Sequence, residues 1–215
     1  MSDLARAAEQ FGVGVSAPYT ESGREVGTLV VCRYEPDAAA FVSRKLGGEP
    51  LGLRGFIQPG EADFRRLRVD PYEVSESVGN LLTQAGWGRL LTLAVGGGGT
   101  AYASASTRIG VGTATAAATT GQTDLQAATG AANRMWAMVT GVGATGTGTG
   151  TARLSFVATV GTGDGNFAWA EWAIDQGVAS GVGGPTATLL NRAVSAQGTK
   201  ASGQTWTATA LLDFT

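Results

Sequence analysis

Three stretches decide how this chain folds: Arg134-Met-Trp-Ala-Met-Val-Thr140, Ala152-Arg-Leu-Ser-Phe-Val-Ala-Thr-Val160 and Trp206-Thr-Ala-Thr-Ala-Leu-Leu-Asp-Phe214. Each alternates. Met135, Ala137 and Val139 fall opposite Trp136 and Met138; Leu154, Phe156 and Ala158 share a face, as do Trp206, Ala208, Ala210 and Leu212. A period of two marks strands with one buried face. Outward from these, residues 108–112 read as a first strand ended by glycines, and residues 167–175 and 187–194 as later ones. Glycines at 141, 143, 146, 148 and 150 predict a long, mobile hairpin loop. Residues 161–166 carry turn chemistry, with Asp164-Gly165 the strongest local hairpin signal. A loop runs through Pro185, and Thr123 is expected to cap a single helical turn to Gln126. Half a dozen short strands at this spacing predict a mainly β domain over 100–215, an antiparallel β-sandwich of immunoglobulin-like or jelly-roll-like form. The Thr-rich outer faces suit strands.

Composition divides the chain at the same place. Residues 1–99 hold 22 of the 32 charged side chains; over residues 100–215, Gly, Ala and Thr fill 65 of 116 positions. The run Gly96-Gly-Gly-Gly99 is the expected hinge or close-approach turn. Residues 1–95 read as a small α+β region. Residues 25–34 form a strand, with Val26, Thr28, Val30 and Cys32 opposite Leu29 and Val31. Asp37 would cap a helix through Lys45, with Phe41, Val42 and Leu46 inward and Gly47-Gly48 as its stop. After turns at Pro50, Pro59 and Gly60, residues 66–74 are expected as a strand broken by Pro71. Val78, Leu81, Leu82, Ala85, Leu90 and Leu93 approach helical period over 77–93, weakened by Gly79, Gly86 and Gly88.

What is missing excludes chemistry. No His removes the usual serine or cysteine triads and the commonest metal ligand. The single Cys32 cannot close an intrachain disulfide or a thiolate cage, and its apolar neighbours Leu29, Val30 and Val31 mark it as a small buried residue. Hydrophobic residues make up 43% of the chain, enough for a sizeable core. A net charge of −2 offers no basic footprint for nucleic acid. The N-terminus lacks a signal-peptide run, and residues 90–95 fall far short of the roughly 20 apolar residues of a membrane span. The expectation is a soluble protein made in a reducing cytoplasm, with no cofactor.

Local candidates for chemistry are thin. Gly141, Gly143 and Gly146 spell G-x-G-x-x-G, but Thr-Gly alternation follows where a dinucleotide site needs a helix. The only lysines are Lys45 and Lys200, and no P-loop is present. Glu171 and Asp175 beside Trp169 and Trp172 imitate a glycosidase cleft, yet strand geometry separates the two acids by about 13 Å, too far for that chemistry. The plainer expectation has the aromatics in core and interface and the acids facing solvent. Asp164 between Gly163 and Gly165 suits a turn better than a cation site. Arg65, Arg66 and Arg68 form a basic patch, read as solvated surface or as a contact for an acidic neighbour.

One resemblance goes further. The ordered series Gly79-Asn-Leu-Leu-Thr-Gln-Ala-Gly86, Leu90-Leu91, Gly97-Gly-Gly-Thr-Ala101, Arg108-Ile-Gly-Val-Gly112, Gln122-Thr-Asp-Leu-Gln-Ala127, Asn166-Phe-Ala-Trp-Ala-Glu-Trp172, Leu189-Leu-Asn-Arg192, Gly198-Thr-Lys-Ala-Ser-Gly203 and Trp206-Thr-Ala-Thr209 resembles a family of structural proteins from tailed bacteriophage virions. It covers about residues 78–215, and Arg33-Tyr-Glu-Pro-Asp37 looks like the variable N-terminal part of such proteins. The resemblance implies a noncatalytic particle component without cofactor or metal. A capsid decoration or cement protein binding the major capsid protein on the capsid exterior is the first expectation. A tail or tail-fibre component, binding another tail protein or a host glycan, is the alternative, with a glycan-cleaving enzyme using Glu171 as a third. Low charge and abundant small residues suit self-association in the particle. Trp136, Trp169, Trp172 and Trp206 are the candidate core or interface anchors, with Arg65, Arg66 and Arg68 beside them. Neither membrane nor direct nucleic-acid binding is expected.

Overall fold

The computed structural model describes residues 25–48, 55–146, 152–184 and 188–214. Pro50, Pro185, Ala187, the stretch 147–150 and residues 1–24 lie outside them. The described chain is mainly β and antiparallel. Its elements run β1 (Glu25–Tyr34), α1 (Pro36–Lys45), α2 (Glu61–Arg66), β2 (Glu73–Val78), β3 (Leu81–Leu82), α3 (Gln84–Ala94), β4 (Thr107–Gly112), β5 (Arg134–Gly146), β6 (Ala152–Val160), β7 (Ala168–Gln176), β8 (Leu189–Thr199) and β9 (Thr205–Phe214). They form one nine-stranded sheet in the order β2-β1-β9-β6-β5-β4-β7-β8-β3.

The sheet curls into a half-barrel. The corner is β5: Arg134–Met138 pair with β4, a register shift separates Val139 from Gly141, and the strand then pairs with β6 out to Gly146. Such bulges bend a strand and sharpen its twist. Leu29 and Val31 of β1 and Trp206, Ala208, Ala210 and Leu212 of β9 thereby meet Ile109, Trp172 and Leu190 from the other arm in a single core. Near the far rim, Arg33 and Ser75 bond to Gln197 and draw β1 and β2 toward β8. A smaller cluster outside the sheet packs Ala39 and Val42 of α1 and Phe64 of α2 on Tyr34, whose ring lies 3.6 Å from Phe64. Strands on either side of Gly96–Gly99 share the sheet, since β1 pairs with β9 and β3 with β8.

Phe156 and Ala158 of β6 and Trp206, Ala208, Ala210 and Leu212 of β9 are buried on the shared faces their alternation predicts. Of the two faces of β1 the core takes Leu29 and Val31. β5 buries residues on both faces, Trp136 as well as Met135, Ala137 and Val139. Several expectations fail for identifiable reasons. Residues 141–146 are strand, not loop, because β6 pairs with them residue by residue. Asp164-Gly165 is a turn, with Gly165 at φ 63, but it joins β6 to β7, which are not neighbours. It carries the chain from one arm of the curl to the other, so no hairpin forms there. The first helix is entered through Glu35 and Pro36 rather than capped by Asp37, Pro being pre-set for the first turn. Phe41 of that helix stays exposed. Residues 66–74 hold the end of α2 and a turn, with Arg68 at φ 54, and the strand starts only at Glu73. The helix expected over 77–93 is divided. Ser75, Ser77 and Val78 continue a strand, Gly79 breaks it at φ 131, and Thr83 caps α3 by accepting the Gly86 N–H at 2.9 Å. Residues 123–126 make no helical turn; side chains of the sheet hold them, as described next.

Candidate functional site

The outer face of the β5-β4-β7-β8 arm carries most of the buried charged side chains: Arg108, Arg134, Glu171, Asp175 and Arg192. On β4, Ile109 and Val111 point into the core, which leaves Arg108, Gly110 and Gly112 outside. Room for large neighbours comes from the glycines. A Cβ on Gly110 would lie 2.5 Å from the Trp136 ring, and one on Gly112 would lie 2.4 Å from Glu171 Oε1. Trp136 of β5 therefore lies across Gly110, in a cluster with Leu125, Ala173 and Leu189, under the Arg108 guanidinium at 4.9 Å. Glu171 lies across Gly112.

Three arginines then tie loops to this face. Arg192 Nε donates to Glu171 Oε2 at 2.6 Å and its Nη1 to Gln122 Oε1 at 3.2 Å. Glu171 also accepts the backbone N–H groups of Gln126 and Ala127 at 3.0 and 2.7 Å. Arg108 grips both oxygens of Asp175, at 2.9 and 2.5 Å, and donates to the carbonyls of Ala179 and Gly184. Arg134 joins Asp124 at 2.9 Å and the Val182 carbonyl at 2.8 Å. These are charge-assisted bonds in a dry setting, the strong kind. Burial pushes the Asp175 carboxyl up, and the hydrogen bond and charge of Arg108 oppose that push.

Glu171 and Asp175 are thus not solvent-facing as expected; both are fully buried. A nucleophile or general acid needs an oxygen free to meet substrate, and the Glu171 oxygens are already occupied by two backbone donors and one arginine. What the arrangement does is hold residues 122–127 and 179–184 against the sheet. Sequence periodicity could not show this, because the partners lie 10 to 76 residues apart.

The other expected residues are placed as follows. Trp169 and Trp172 differ by an odd interval and alternation puts them on opposite faces. A register shift between Trp169 and Glu171 brings both into the core. Trp169 meets Trp206 edge-on at 4.8 Å and donates from Nε1 to the Gly165 carbonyl at 2.9 Å. Trp136, Trp169, Trp172 and Trp206 are each at most 1% exposed, so all four serve the interior. Arg65 and Arg66 are exposed and reach back to Glu61 and Asp63 within α2, while Arg68 stands exposed beyond the helix. Asp164 is exposed in its turn, and among the described residues no cluster of three His, Cys, Asp or Glu side chains could hold a metal. Cys32 is half-buried against the small outer cluster, and burial raises its thiol pKa.

The fifth tryptophan lies apart from these four. Trp87 of α3 is 46% exposed and lies 6.5 Å from the Phe214 ring. With Leu90, Leu91, Leu154 and Phe214 it lines an apolar groove of about 440 Å³ between α3 and the ends of β5, β6 and β9. Its sequence signal is that Trp87, Leu91 and Val95 recur every four residues, a second apolar stripe beside the inward Leu90.

Compared with family models, curated proteins and solved structures, the chain matches none of them.

Proposed function

We propose that this is a noncatalytic structural protein of a bacteriophage virion, most plainly a decoration or cement protein on the capsid exterior. The observation that carries the reading is the way apolar surface is distributed. The chain buries the Arg108–Asp175 and Arg192–Glu171 pairs and four of its tryptophans yet turns Val74 and Val78 of β2 outward, 56% and 68% exposed, beside Tyr72 at 47%. Val74 and Val78 share one face of β2, on either side of the exposed Glu76, at the end of the strand order, and Tyr72 stands just before the strand. Apolar side chains gathered in this way suit a partner surface. In this reading the curled sheet works as an open sandwich, and its neighbours are the major capsid protein and further copies of itself. Binding only to the assembled shell would stabilise it by mass action.

Labelling of the protein in particles, by immunogold or cryo-microscopy, tests the station: stoichiometric copies on the shell are expected. Copies confined to the tail would leave the virion class and remove the capsid. Absence from particles would remove both. Val74→Asp with Val78→Asp is expected to abolish head binding at unchanged melting temperature. A glycan-binding tail component would need exposed aromatics, and Trp169 and Trp172 are both buried, which takes support from that form of the tail reading. Hydrolysis of cell-wall polysaccharide that disappears in Glu171→Gln would overturn the noncatalytic reading.

A further inference from the structure

Lys200 and Asn166 meet where the β6–β7 turn packs on the β8–β9 connection. The lysine is 1% exposed, and its Nζ donates to Asn166 Oδ1 and to the Gly161 carbonyl, each at 2.8 Å. Both residues are held in place. The Lys200 N–H bonds the carbonyl of Phe167, the residue after Asn166, at 3.1 Å, and Asn166 Nδ2 donates to the Thr162 carbonyl at 3.3 Å. A carbonyl carbon lies about 1.2 Å from its oxygen, so Asn166 Cγ is no more than about 4 Å from the lysine nitrogen. That is close to the separation of a near-attack pair. Beside them Phe167 and Trp169 turn into the core. Burial lowers the Lys200 pKa to about 8, which favours the neutral, nucleophilic amine. A carboxylate is at hand as well: Asp164, two residues before Asn166, is exposed in its turn and its charge reaches the ammonium.

We propose that Lys200 and Asn166 join spontaneously in an intramolecular isopeptide bond, with Asp164 as the proton carrier. Asp164 takes a proton from the ammonium, and the neutral Nζ attacks Asn166 Cγ once the carboxamide has turned its face toward it. The N–C bond forms as the carbonyl electron pair moves to Oδ1. When that pair returns, the Cγ–Nδ2 bond breaks. Two of the three Nζ protons have then passed to Nδ2, which departs as ammonium, and Nζ keeps the third as a secondary amide. Nothing is oxidised or reduced. The bond closes the chain between positions 34 residues apart. It gives this protein a covalent staple that its single cysteine cannot supply as a disulfide. Titration of Lys200 belongs to the chain before the bond forms. A bond within one chain is independent of the virion reading.

Mass spectrometry of the full chain tests this. After incubation above pH 8, the intact mass is expected to fall by one ammonia. Trypsin should then leave Lys200 uncut and release residues 154–192 joined to residues 193–215. Both signs should vanish in Lys200→Arg and in Asn166→Ala. Asp164→Asn should slow the mass loss by about a hundredfold; loss at the wild-type rate overturns its part as proton carrier. An unchanged wild-type mass, in a chain still folded by circular dichroism, overturns the proposal. So does a loss of ammonia that leaves the two peptides separate, which marks a succinimide at an asparagine, and so does a loss that persists in Lys200→Arg.

Discussion

Gly110 and Gly112 are spaced by two, so they share a strand face, and each is covered by the side chain of a neighbouring strand. The contact at Gly110 is with a ring, which cannot fold away. Gly110→Ala is therefore expected to lower stability by about 1–3 kcal/mol, the usual cost of overpacking, read as a fall in denaturation midpoint at unchanged m-value. Lys200 is a second residue whose surroundings set its chemistry. Its ammonium group is buried, donates to the Gly161 carbonyl and to Asn166 Oδ1 at 2.8 Å each, and pins the β6–β7 turn to the β8–β9 connection. Desolvation lowers its pKa from the ordinary 10.5 to about 8, with the Asp164 charge opposing. Between those two values the unfolded chain holds a proton that the folded chain does not, so this residue makes stability rise with pH across the window. Below pH 8 the cost of burying the charge is present in full. The difference in unfolding free energy between wild type and Lys200→Met should accordingly change between pH 8 and 10 and be flat from pH 6 to 7.

Among the elements, α3 shows how a helix is seated on a sheet. Its face toward β8 holds Gly86, where a Cβ would come within 2.2 Å of the Leu190 carbonyl oxygen. The same glycine that weakens the helix by propensity permits its closest packing. Thr83, itself buried, caps the helix at the Gly86 N–H and donates to the Leu189 carbonyl, so one hydroxyl joins helix start to strand. Thr83→Val keeps the shape and removes both bonds. Loss of the cap costs about 1 kcal/mol, and the stranded buried carbonyl adds about 1–3 kcal/mol. Thermal melting of Thr83→Val against Thr83→Ser should show a large drop for the first and little for the second. Bulges are the other device at this scale. Those at Val139/Gly141 and Trp169/Glu171 turn a corner and redirect a tryptophan, neither of which a strict period of two anticipates.

Across the whole molecule, the last strand is the most consequential. β9 lies between β1 and β6, so the beginning and end of the described chain are bonded side by side. One core joins both arms of the curl. Unfolding followed by tryptophan emission and by far-ultraviolet circular dichroism should thus superimpose as one transition. Two separated transitions would mean that the composition boundary near Gly96 also divides stability. Pairing over such sequence distances must be closed before it is rewarded, and folding on a timescale of about milliseconds to seconds is expected in stopped-flow refolding.

Strand alternation was legible where inward and outward positions differ in polarity along a single segment. Trp206, Ala208 and Ala210, set against Thr205, Thr207 and Thr209, declare their face without any partner, whereas β1 is apolar on both faces and its inward side, Leu29 and Val31, is chosen by packing. The sequence by itself therefore determined the mainly β antiparallel character and most of the core. It also limited the available chemistry, through the lack of His and the single Cys. Only the tertiary structure decided which strands are neighbours, that Glu171 and Asp175 are internal anchors, that four tryptophans belong to the interior, and that Trp87 does not. The physical reason is range. Polarity patterns act over a few residues, whereas register, bulges and ion pairs such as Arg108–Asp175, 67 residues apart, depend on surfaces that exist only once the sheet has curled.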